Sequence, residues 1–163
     1  MSGWLKIFNT KASKKSFPYQ WRYIIIHHSL TRDQKVVDWP AIRKYHKEVL
    51  GWREIGYHFG VEGIYRPLVG QTYEILLGRQ LNETGAHCKQ QGKNRDGIGI
   101  VLIGNFDLAP PPKEQLQKAT ELVKALMDIF KIPKENVKRH CDFAPYKTCP
   151  GKAFPWADFL KAL

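Results

Sequence analysis

Two histidines and a cysteine far apart in the chain, His27, His140 and Cys149, are the residues whose types best suit joint chemistry. His27 closes the apolar run Tyr23-Ile24-Ile25-Ile26-His27-His28-Ser29. His140 and Cys149 bracket the compact segment His140-Cys141-Asp142-Phe143-Ala144-Pro145-Tyr146-Lys147-Thr148-Cys149-Pro150-Gly151. Two imidazoles and one thiolate suit tetrahedral Zn²⁺, and three protein ligands leave the fourth position to water. An open site of that kind is a hydrolytic site.

Two further residues could serve such a site. Lys147 stands two residues before Cys149, and an alternating extended stretch would put both on one side. There a lysine can stabilise the charge that develops on a carbonyl oxygen. The sequence has no His-Glu-x-x-His motif, which excludes the thermolysin arrangement. Tyr57, in Gly56-Tyr57-His58-Phe59, is a candidate partner for the metal's water; read by residue type alone, a tyrosine beside glycine is a packing residue.

The elements that must position these residues follow from apolar periodicity. Residues 21 to 28 read as a buried strand and 29 to 37 as a polar loop. A helix starts at Asp38 as N-cap, tolerates Pro40 in its first turn and ends at Gly51. Its inward stripe is Trp39, Ile42, Tyr45 or His46, and Val49. From Gly56 to Gly78 short antiparallel strands and turns are expected. A long surface loop follows over 79 to 97, then a second buried strand over 98 to 104. Pro110-Pro111-Pro112 precede the longest helix, Lys113 to Phe130, whose Leu116, Ala119, Leu122/Val123, Leu126 and Phe130 keep helical spacing. Asn136 to Cys141 reads as a short strand carrying His140. A last helix near 155 to 163 supplies Trp156, Phe159 and Leu160 to the core. The sum is an α/β fold: one domain with a central mixed sheet flanked by helices.

Composition narrows the function further. The chain has 163 residues, 43% of them hydrophobic, enough for one core. No apolar stretch approaches the ~20 residues of a membrane span, and the first ten residues lack the apolar core of a signal peptide. The expectation is a monomer made in a host cytoplasm that reaches an outside substrate by lysis or separate release. Net charge is +11, which favours anionic partners. Lys6, Lys11, Lys14 and Lys15 concentrate charge in a basic N-terminal arm, residues 1 to 20, ahead of a catalytic domain over 21 to 163. The arm offers contact with anionic cell-envelope polymers. No module that reads nucleic acid is present among the basic residues. The three cysteines argue against a closed disulfide framework; Cys88 and Cys141 read as free thiols, with a bridge between them left open.

Several motifs occur together and in order: His27 ending a hydrophobic strand, Gly56-Tyr57-His58-Phe59, Gly85-Ala86-His87, Ile98-Gly99-Ile100 with Gly104-Asn105, and the His140 to Gly151 segment. As a set, over residues 20 to 162, they resemble the zinc-dependent type 2 N-acetylmuramoyl-L-alanine amidases, a family that includes amidase-type phage lysozymes, endolysins and the animal peptidoglycan recognition proteins. The resemblance implies that His27, rather than His28, joins His140 and Cys149 in binding one zinc ion. It also implies that Tyr57 and Lys147 are catalytic and that the substrate is the amide between N-acetylmuramic acid and L-alanine in peptidoglycan. His58, His87, Asn94 and Arg95 are candidate substrate contacts. A one-domain phage or prophage endolysin is the expected setting, and a non-catalytic peptidoglycan-binding module is the alternative. Compared with small phage lysozymes, the His140–Cys149 interval is one residue longer, with Tyr146 the apparent insertion, and residues 1 to 20 have no counterpart.

Overall fold

The computed structural model describes residues 19–31 and 38–163. Residues 1–18 of the basic arm and residues 32–37 of the polar loop lie outside the described residues.

Five strands form one sheet. β1 (Tyr23–His28) takes its place because three consecutive isoleucines bury on both faces, each contributing ~1.5–3 kcal/mol by leaving water. After it come a short helix α1 (Trp39–Lys44), the hairpin β2 (Phe59–Arg66) and β3 (Gly70–Leu77), then a one-turn helix α2 (Lys93–Asp96) leading straight into β4 (Gly97–Leu102). The long helix α3 (Lys113–Phe130), a short strand β5 (Val137–Arg139), a one-turn helix α4 (His140–Phe143) and α5 (Trp156–Lys161) complete the chain. The spatial order is β3-β2-β4-β1-β5. β1 runs parallel to β4 and β5, β2 runs parallel to β4, and only the β2–β3 pair is antiparallel. This is the mixed sheet flanked by helices that the sequence pattern implies.

Side-chain alternation along β1 sorts the molecule into two faces. Ile24 and Ile26 enter the main core with Ile98, Ile100, Leu122, Leu126 and Phe159, between the sheet and helices α3 and α5. On the other face, Trp39, Ile42, Ile55, Val101 and Ile103 form a second cluster against which Tyr57 packs. His27 follows Ile25 in the alternation, so it belongs to this second face, where the sheet is not covered by the long helix. α3 keeps the bounds read from sequence, with Ala119, Leu122, Val123 and Leu126 buried.

Three local expectations are corrected. α1 begins as expected, with the Asp38 carboxylate accepting from the Ala41 N–H at 2.8 Å. Its continuation, however, is a π-helical turn over Tyr45–Val49. The wider turn rotates the stripe, so His46 turns inward while Val49 is 67% exposed. The strand expected over 136 to 141 stops at Arg139, and His140 opens α4 instead. That break is held by Asp142, whose carboxylate accepts from both the backbone N–H and the guanidinium of Arg139. Finally, the 79–97 segment is not wholly a surface loop: Leu81, His87, Cys88 and Lys93 in it are buried.

Candidate active site

The second face of the sheet ends in a cleft of about 430 Å³, lined by His27, Tyr57, His87, His140, Lys147 and Cys149 among others. Its floor is the carboxyl end of the parallel strands, the usual place for a ligand in open α/β sheets. β1 and β5 are paired with Ile26 opposite Arg139. The next residue of each, His27 and His140, therefore emerges side by side, with ring centroids 4.5 Å apart. Cys149 arrives from a turn rather than a strand. The Cys141 N–H donates to the Cys149 carbonyl at 2.9 Å, which draws the far end of the loop back beside His140. At the base of the same loop, Asp107 accepts from the Thr148 hydroxyl at 2.7 Å and from the Lys152 N–H at 2.9 Å.

The potential donor atoms of His27, His140 and Cys149 all lie within 4.8 Å of one another, and all three side chains are buried. Sγ of Cys149 is 3.6 Å from Nδ1 of His27. His28 lines the cleft but stands outside this cluster, its Nδ1 accepting from the Phe106 N–H at 3.2 Å. Two imidazoles and a thiol make a donor set suited to zinc.

Burial governs the protonation of the cluster. It holds the His27 imidazole well below its ordinary value, helped by the neighbouring His87, His140 and Lys147. His140 is lowered to about 4 by burial and by the Lys147 charge. Both imidazoles are thus neutral at pH 7, as metal ligands must be. Burial pushes the Cys149 thiol up to about 12, opposed by the His28 backbone N–H and by Lys147. Tyr57 presents its ring 5.2 Å from His27; burial and the nearby Cys149 raise its phenol far above the usual range, so it keeps its proton. Lys147 sits exposed on the rim, with its charge acting on His27, His140 and Cys149 alike. It is held by a turn, its N–H donating to the Ala144 carbonyl at 2.9 Å, and not by an extended stretch.

The candidate substrate contacts are placed differently. His58 is fully buried; its Nδ1 accepts from the Gly99 N–H and its Nε2 donates to the Glu83 carbonyl, so both nitrogens are committed inside the fold. The Asn94 side-chain oxygen accepts from the N–H groups of His87 and Cys88, bracing the loop that carries His87. Arg95 is exposed on α2, away from the residues lining the cleft. His87 is buried at the cleft floor, its Nδ1 3.1 Å from Nε2 of His27. Conversely, His46 and Trp52 line the cleft with ring centroids 4.7 Å apart, and neither carries a chemical signal in the sequence. Only the helical stripe hints at His46. Tyr146 stands 74% exposed on the rim, hydrogen-bonded to Gln90. Cys88, Cys141 and Cys149 are all free thiols, which removes the bridge left open between the first two.

Comparison with known proteins agrees with this architecture. The family model described as N-acetylmuramoyl-L-alanine amidase matches residues 17–152. Peptidoglycan-recognition protein SC2 of Drosophila melanogaster is 32% identical over 116 residues, covering 68% of this chain and 58% of that protein. Peptidoglycan-recognition protein LB of the same fly is 34% identical over 107 residues, covering 62% of this chain and 42% of that protein. The chain thus spans about half the length of these two relatives. Among solved structures, the N-acetylmuramoyl-L-alanine amidase LysC from Clostridium intestinale URNW superposes with a TM-score of 0.70 at 28% identity, covering 88% of this chain and 85% of that one. With the family model spanning the sheet and the whole cleft, the chain belongs to the N-acetylmuramoyl-L-alanine amidase family.

Proposed function

We propose that this protein hydrolyses the amide between the lactyl group of N-acetylmuramic acid and L-alanine in peptidoglycan, with one zinc ion held by His27, His140 and Cys149. The observation that carries the reading is the convergence of these three buried donors within 4.8 Å, in a cleft that also holds Tyr57 and Lys147. Bound there, zinc supplies Lewis acidity to the scissile carbonyl and lowers the pKa of a water from ~15.7 toward ~7. The protein's residues do the rest. His27 and His140 offer lone pairs without first losing a proton. Cys149 gives up its proton on binding, and the His28 N–H and Lys147 favour the thiolate. Tyr57, a phenol that stays protonated, orients the attacking water by hydrogen bonding. The Lys147 ammonium stabilises negative charge growing on the carbonyl oxygen. A glycan strand and a free stem peptide are the products.

The same reading takes the protein to be a wall-lytic enzyme of the endolysin kind, acting on the wall after release from the cell that makes it. Support comes from structural likeness to the endolysin N-acetylmuramoyl-L-alanine amidase LysCS from Clostridium intestinale URNW. Its +11 charge suits approach to anionic envelope polymers. Among the described residues no helix is long and apolar enough to cross a membrane. Mass spectrometry of digested sacculi tests the central claim: new lactyl carboxylates with free L-alanine amino termini are expected, and they should vanish in Cys149→Ala along with bound zinc. Wall binding without any bond cut would favour recognition over catalysis.

A further inference from the structure

We propose that His87 is a positioning residue that sets which nitrogen of His27 faces the metal, through a hydrogen-bond chain ending on the Gly97 carbonyl. The assignment rests on His27 as a metal ligand and extends that reading to the residue behind it. Nε2 of His87 lies 3.0 Å from the Gly97 carbonyl oxygen. A carbonyl only accepts, so this nitrogen carries the hydrogen, and in a neutral imidazole the other nitrogen is then a bare acceptor. That acceptor, Nδ1 of His87, is 3.1 Å from Nε2 of His27. Two lone pairs at this distance would repel, so Nε2 of His27 carries a hydrogen and donates it. The lone pair of His27 is thereby left on Nδ1, the atom 3.6 Å from the Cys149 sulfur. The backbone of β4 thus dictates, two imidazoles away, the tautomer and ring plane of a ligand on β1.

The fold builds a slot for this purpose. A Cβ at either Gly85 or Gly99 would collide with the His87 ring, so two glycines on different segments leave the space that the ring fills. The His87 N–H is fixed in turn by the Asn94 side-chain oxygen at 2.8 Å. A histidine serving only to fill volume would need neither the aligned carbonyl nor the acceptor aimed at His27. Outer partners of metal-bound histidines work by fixing tautomer and orientation, and their loss costs ~10–100-fold in metal affinity.

Two near-isosteric variants separate this role from packing. His87→Asn keeps an oxygen where Nδ1 stood, and His87→Gln keeps a donor where Nε2 stood but leaves His27 without its acceptor. In zinc competition against a chromophoric chelator, His87→Asn should stay within several-fold of the wild type, and His87→Gln should bind ~10–100-fold more weakly. Equal affinities in the two variants would overturn the proposal while leaving the zinc site itself standing; a wild-type chain that takes up no zinc would overturn both. Imidazole ¹⁵N spectra of the zinc-free wild type give a test independent of variant folding. His27 and His87 are both expected with the hydrogen on Nε2, and a hydrogen on Nδ1 of either residue refutes the chain.

Discussion

In the proposed reaction, Tyr57 and Lys147 would divide the work by what burial does to each. A phenol raised far above its usual range donates a hydrogen bond at neutral pH but cannot serve as a resting base. Exposed Lys147, by contrast, would meet the proposed oxyanion from the rim without the cost of burial. Tyr57→Phe and Lys147→Ala are each expected to lower turnover by roughly 10²–10³-fold while metal analysis still finds one zinc per chain. Loss of zinc in either would remove that residue from catalysis and make it part of the metal's support. His58 gives a pH prediction. Burial lowers it to about 4 in the fold, against 6.5 ordinarily, so between these values the unfolded chain binds a proton that the folded chain refuses. Stability is therefore unaffected by this group above about pH 6.5 and falls with acidification toward 4, by up to about 1.4 kcal/mol per pH unit. Urea midpoints of the zinc-free protein between pH 7.5 and 4.5 should drop, and His58→Gln should flatten that slope by one proton's worth. The cluster of candidate donors, His27, His140 and Cys149, was readable from the chain because histidine and cysteine are distinctive residue types. The tasks of His58, His87 and Asn94 were not, because their partners are backbone groups of Glu83, Gly97, Gly99, His87 and Cys88, which leave no mark on side-chain spacing.

At the level of elements, periodicity located β1, β4 and α3 well because each is a long apolar pattern with one dominant period. It failed where one hydrogen bond outweighs the pattern. The π turn after α1 cannot be read from apolar spacing, yet it is what turns His46 toward the cleft. α4 likewise depends on Asp142 closing back on Arg139. The Cys149 turn depends on Asp107, outside the segment that carries this candidate ligand. Asp107→Ala should weaken zinc binding several-fold and speed amide exchange at Lys152, with the sheet's protection unchanged; a global loss of protection would mean that Asp107 holds more than this turn. Leu122→Ala, in the middle of α3, should show the opposite pattern. A loss of ~2–5 kcal/mol of stability is expected there, with zinc affinity of the folded protein intact.

For the whole molecule, the proposed zinc site would link metal binding to folding. Free zinc at 100 times its dissociation constant should add ~2.7 kcal/mol to stability. In a chain of this size that is a rise of roughly 5–10 °C in Tm. Calorimetry with and without a chelator checks it, and an unchanged Tm would contradict zinc binding at this site. The +11 charge acts at longer range. Raising salt from about 50 to about 300 mM should weaken association with anionic sacculi, because the Debye length contracts to well under ~10 Å, while hydrolysis of a small soluble muropeptide changes little.

His27 and His140 leave neighbouring parallel strands, whereas Cys149 hangs on a turn tied down by Asp107 and the Cys141 N–H. The candidate metal site is therefore unequal in its anchorage: two of its three donors lie on or directly beside the sheet, and the third is only as durable as a loop. Opening that turn detaches the sulfur while both imidazoles stay in place. Exchange of a zinc ion held there would then have a route that bypasses unfolding, and its rate should follow the turn's breathing rather than the lifetime of the native state.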